Sequence, residues 1–346
     1  MPDTQEPRWK KRVAITGAVC MVIGTTFGII QHFWPEPEKE VARIVVPPQL
    51  SEEDIQRLKS LTAEDKVSAL DLYERAYSHF LLGEYVEALS GFDSVIRMTP
   101  RLAAAHAAKG IVLFQLGRND EAELSLQAAL LYQQNSMWRV FLAEVQQATG
   151  QWHAADQLFL SLLSGELEPI VECAARRKRG RGLRMLGQPA DALEELDRSL
   201  ILLDTLPVEL AASSTRAEIQ MDRAQALADL KRAGEAQEAL KAAARYAKPD
   251  DPNFFDQQGL VLLKLDRVSE AVEAFKKADS LAPEDAVVLY NLACAYSRLG
   301  NGEQATAVLA RSLKLDASLR ASARTDSDFD FLRSRYAREF LELTAE

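Results

Sequence analysis

Two patterns of apolar and polar positions divide this chain. Residues 13–30 form an apolar run without a single charge, whereas beyond Thr62 apolar residues recur three and four positions apart, as on one face of a helix. As a helix the run covers roughly 27 Å, close to the hydrocarbon thickness of a bilayer. Phe33 and Trp34 extend it, Trp9 supplies an aromatic at the opposite edge, and Pro35 stops it. This predicts an uncleaved transmembrane helix over 13–34 behind a short basic tail over 1–12. The residues after the run are too bulky for a signal-peptide cleavage site.

Arg8, Lys10, Lys11 and Arg12 precede the run, and Lys39 and Arg43 follow it. That bias keeps the N-terminus in the cytoplasm and places the rest outside, in the periplasm of a Gram-negative cell; the reverse orientation stays open. Gly24 and Gly28 form a GxxxG pair. It allows a weak homodimer through the anchor, or it reflects the ordinary abundance of glycine in membrane helices. Residues 35–68 read as an extended linker, with Pro47 and Pro48, followed by a short helix beginning near Ser51.

The periodic part repeats. Seven stretches share a turn and an alanine five positions on: Gly83 with Ala88, Gly117 with Ala122, Gly150 with Ala155, Gly187 with Ala192, Lys231 with Ala236, Asp266 with Ala271, and Gly300 with Ala305. The intervals between turns are 34, 33, 37, 44, 35 and 34 residues. A period near 34 signals stacked helix hairpins. Small residues (Ala76, Gly110, Ala143, Gly180, Gly259) recur where two helices must approach, and bulky ones (Phe92, Leu126, Phe159, Leu196, Phe275) recur where the next gap needs filling. Such hairpins bury their apolar faces only against one another. The interval of 44 leaves about ten extra residues around 204–216, which means a longer helix or a loop; Pro207 favours a break, and a hinge is expected there.

With Leu72, Ala76, Gly83, Tyr85, Ala88, Phe92 and Pro100 in the first repeat, and Phe255, Gly259, Ala271, Phe275, Ala278 and Pro283 in the sixth, the chain resembles the tetratricopeptide-repeat family. The resemblance covers about residues 69–320, with repeats near 69–102, 103–135, 136–170, 173–206, 217–251, 252–285 and 286–320. It implies an all-α, right-handed superhelical solenoid of about seven hairpins, and 321–346 resembles the capping segment of such arrays, with Tyr336, Phe340 and Leu343 on one side of its helix. It also implies a protein-binding scaffold without catalysis, whose first helices line a concave groove.

Positions 2, 5, 9 and 12 of each first helix face the ligand in that family. Here they give Tyr73, Tyr77, Phe80 and Phe114, an apolar and aromatic wall that either receives a peptide or is covered by the preceding helix. In the fourth repeat they give Arg177, Arg181 and Arg184, within a stretch where six of nine residues are basic. Those guanidiniums either grip an acidic segment of a partner or form a solvated strip beside acids such as Glu194 and Glu195. A lipid- or anionic-polymer-binding surface is the alternative use of the strip. The family's chaperone-tail clamp is not expected: Asn291 occupies one of its positions, but the Lys/Asn pair that should precede it is missing.

Composition narrows the picture further. The net charge of −10 argues against nucleic acid, and 16 Gly and 13 Pro in 346 residues are few for a strand-rich fold. Three cysteines without a CxxC pair, and four histidines without metal-binding spacing, lead us to expect no cofactor and no metal. Gly180 and Gly182 resemble part of a dinucleotide loop, but the third glycine falls at 187 and the context is helical.

Overall fold

The computed structural model describes Leu50, Asp54, residues 63–207 and residues 213–345. The expected span over 13–34, its Gly24 and Gly28, and the tail over 1–12 lie outside the described residues. Among the described residues no helix is long and apolar enough to cross a membrane.

Those residues form seventeen α-helices and one short 3-10 turn, with no strand. Fourteen of the helices pair into seven hairpins. These are α1 (Ala63–Leu81) with α2 (Tyr85–Met98), α3 (Ala103–Gln115) with α4 (Asn119–Tyr132), α5 (Ser136–Ala148) with α6 (Trp152–Leu163), and α7 (Pro169–Met185) with α8 (Pro189–Thr205). Then follow α9 (Ser213–Asp229) with α10 (Ala233–Ala244), α11 (Pro252–Lys264) with α12 (Val268–Leu281), and α13 (Ala286–Arg298) with α14 (Gly302–Leu315). At five of the six junctions the second helix packs on the first helix of the next hairpin, the junction of α10 with α11 being the exception, and each first helix also touches the next first helix. The first helices therefore line the inner face of the stack.

Every hairpin turns in the same way. Gly83, Gly117, Gly150, Gly187 and Gly300 have φ between 72° and 78°, and Lys231 and Asp266 take the same left-handed conformation at 58° and 57°. The next residue's N–H then reaches back five residues, as from Glu84 to the His79 carbonyl and from Asn301 to the Tyr296 carbonyl, both at 2.9 Å. This satisfies the end of the first helix while reversing the chain. Helix starts are set locally too. Asn135, Asp251 and Asp285 cap α5, α11 and α13 with their side chains, and proline opens α7, α8 and α11.

The small-and-large pairing expected within each hairpin is present. A methyl group on Gly110, Gly180 or Gly259 would lie 2.8, 2.8 or 2.6 Å from Leu126, Leu196 or Phe275. Phe92, Phe159 and Phe275 are completely buried. Two boundaries differ from expectation: the first repeat begins at Ala63 rather than 69, and α9 begins at Ser213 rather than 217. Much of the extra length in the long intervals lies in the helices. α7, α8 and α9 have 17 residues each, against 13 and 12 in α5 and α6. Residues 208–212, at the centre of the expected hinge, lie outside the described residues.

The array closes on α15 (Leu319–Thr325), a 3-10 turn (Ser327–Phe329), α16 (Asp330–Arg335) and α17 (Ala337–Thr344). The cap is thus three short helices rather than the single one expected. Phe340 is buried and Tyr336 and Leu343 pack beside it, as their spacing required.

Candidate functional site

The inner face carries a recess of about 60 Å³ where the first helices of repeats two to five meet. Its lining is apolar in part, with Phe114 from α3, Met137, Val140 and Phe141 from α5, and Ile170 and Ala174 from α7. The lining is also charged, largely from the same helices further along: Glu144 from α5, Arg177, Lys178 and Arg181 from α7, and Glu218 from α9. Leu203 and Leu206, at the end of α8, also line it.

The basic strip is neutralised from three sides. Arg176 bonds Glu172 at 2.7 Å and Glu195 at 2.8 Å, and Arg179 bonds Asp156 and Glu195, both at 2.8 Å. Lys178 pairs with Glu144 across to repeat three, and Arg177 pairs with Glu218 and Asp222 across to repeat five. Arg184 reaches Asp229 at 3.4 Å, beyond the recess. Of the acids named from the sequence, Glu195 joins this lattice and Glu194 pairs only with Arg198 on its own helix. The residue that differs is Arg181. Its side chain is 51% exposed, and it meets Asp222 only at 3.6 Å.

The electrostatics follow from this crowding. Burial lowers the Arg177 guanidinium, but Glu218, Asp222 and Glu144 outweigh it and hold it above its ordinary value. Burial pulls the Lys178 ammonium below its usual range, helped by Arg177 and opposed by Glu144. Burial raises Glu144, yet Lys178, Arg177 and Arg181 together hold its carboxyl below the ordinary range.

The aromatic residues named from the sequence separate into three places. Phe114 lines the recess. Tyr77 and Phe80 stack at 6.5 Å over a tightly closed crevice with Phe92, Ala108 and Ile111. Tyr73 is buried in the first hairpin, its ring edge-on to Phe92 at 5.5 Å. Burial and the nearby Asp54 and Tyr77 push its phenol up, and Leu50 packs on the same core. Met137, Val140 and Glu144 were not named, although the position rule that selected Phe114 selects them when applied to the third repeat.

One further group has the composition of a metal site. Ligand atoms of Cys294, Asp326 and Asp328 lie within 4.8 Å of one another. Their bonds are structural. Asp326 accepts from the Tyr290 hydroxyl at 3.0 Å and from the Asp328 N–H at 3.0 Å, and Asp328 faces Arg298. Burial, together with Asp326 and Asp328, pushes the Cys294 thiol up, so it stays protonated.

Tetratricopeptide-repeat family models match residues 73–137 and 221–286, and a second such model matches residues 262–323. The matched hairpins are similar to tetratricopeptide repeats. A tetratricopeptide repeat protein from Parabacteroides merdae is similar to the stack with a TM-score of 0.54 at 17% identity, over 81% of this chain and 99% of that one. The APC/C hetero-tetramer Cut9-Hcn1 is similar with a TM-score of 0.55 at 16% identity, over 79% of this chain; this chain spans half of that one. At these identities the likeness is one of fold. No curated protein sequence matches the chain.

Proposed function

We propose that this protein is a membrane-anchored adaptor that holds partner proteins in the inner groove of its tetratricopeptide solenoid. The observation that carries the reading is the recess shared by α3, α5, α7 and α9. It joins half-buried apolar side chains to charged ones, which is what a peptide-binding groove presents. The anchor is the uncharged run over 13–30, with the basic tail inside and the solenoid on the outer side of the membrane. No step of chemistry is assigned to it. The anionic-polymer alternative loses support, because most of the strip that would attract polyanions is already paired with acids of its own chain.

The test is cross-linking capture by the full-length protein in its native membrane, compared with an Ile170→Glu variant. Proteins captured in stoichiometric amounts by the first and lost from the second support the adaptor. Equal capture by both moves the site away from the recess.

A further inference from the structure

Within that adaptor reading, the recess also specifies the chemistry of the segment it receives. The sequence suggested three guanidiniums gripping an acidic tail. In the structure Arg177 is committed to Glu218 and Asp222, and Arg184 reaches Asp229 outside the recess. Lys178 is committed to Glu144. An acidic tail laid along the strip would have to displace these internal carboxylates, at the cost of leaving them buried without partners. Arg181 is in a different position. Asp222 already accepts from Arg177 at 3.3 Å, so Arg181 shares an occupied carboxylate at a longer distance and keeps half its side chain in solvent. The same recess is lined by the partly exposed apolar groups Phe114, Met137, Ile170 and Ala174.

We propose that the partner of this groove is a segment led by apolar side chains and carrying one carboxylate, the apolar groups seated on Phe114, Met137 and Ile170 and the carboxylate on Arg181. The apolar contact supplies the larger share of the binding, because several aliphatic and aromatic side chains leave water together. The half-exposed ion pair contributes less and sets the register.

A random peptide-display library panned on the full-length protein tests this. The expected enrichment is for two or more bulky apolar residues at constant spacing from one Asp or Glu. Arg181→Ala should weaken such a peptide roughly fivefold, the effect of about 1 kcal/mol. Arg181→Glu should move the selected residue from Asp or Glu to Lys or Arg in the same register, a swap that a loss of folding cannot produce. Arg184→Ala should leave affinity unchanged; an equal loss there would show that the whole strip grips the peptide and would overturn the proposal. Peptides lost with Ile170→Glu but indifferent to Arg181 overturn the carboxylate assignment alone. Peptides indifferent to Ile170→Glu, or no enrichment, overturn the groove reading with it.

Discussion

Around α7 the hairpins are tied together by charge, whereas at the C-terminal end they are closed by rings. In the centre, Glu195 receives two guanidiniums from α7, Lys178 reaches back to repeat three, and Arg177 and Arg184 reach forward to repeat five. At the end, Tyr290 stands edge-on to Phe329 at 5.3 Å, Phe329 meets Phe340 at 5.8 Å, and Phe331 meets Tyr336 at 6.1 Å. The turn geometry is the same in both regions. The difference lies in what each must do. The last hairpin has no successor, so its apolar face needs non-directional cover, and aromatic side chains supply the largest area per residue. The centre keeps its inner face open, and ion pairs hold helices in register while leaving polar groups and one half-free cation at the surface of the groove.

The comparison can be broken by substitution. Phe275→Ala removes a completely buried ring packed on Gly259 and should cost about 3–5 kcal/mol, read from denaturant unfolding or, if the array unfolds in parts, from hydrogen exchange in α11 and α12. Glu195→Ala leaves Arg176 and Arg179 without their shared carboxylate. It should cost about 2 kcal/mol, less than a fully buried pair because both guanidiniums retain some access to water. Glu194→Ala is the control, expected within about 0.5 kcal/mol because its pair with Arg198 is exposed. A central change without effect would mean that charge does not hold this region.

Gly302→Ala puts a methyl group 1.9 Å from the Tyr336 ring and should cost about 1–2 kcal/mol, with faster exchange confined to α16 and α17. A pH titration sharpens the contrast between the regions. Glu144 has its folded value depressed, so its contribution is fully present above the ordinary carboxylate range and is lost as pH falls through the depressed value. Glu144→Gln should flatten that acid-side slope in thermal melts, and Phe275→Ala should leave it unchanged. One substitution should produce a gain. Lys231 takes a left-handed conformation that glycine takes in five other turns, so Lys231→Gly should stabilise by about 0.5–1 kcal/mol.

Much of this was legible in the residues because the signals are local. Gly83, Gly117, Gly150, Gly187 and Gly300 mark turns through their own φ preference. Gly180 with Leu196, and Gly259 with Phe275, mark helix contacts sixteen residues apart. Lys231 and Asp266 were placed by the alanine five positions on and by the period, since neither is a glycine. The site was less legible. Arg177, Arg181 and Arg184 share a helix face at the spacing read from the sequence, but their partners Glu218, Asp222 and Asp229 come from the next repeat.

The sequence by itself determined the hairpin, its period, its turns and the small-and-large pairs that close it, since each depends on residues within one repeat. Tertiary structure alone decided that Tyr73 is core while Phe114 lines a recess, and that Arg177 is spent on internal carboxylates while Arg181 keeps half its side chain in solvent. The physical reason is range. Conformational preference and steric fit act between near neighbours in the chain, whereas the state of a charge is set by every group within several ångströms, including those from helices forty residues away.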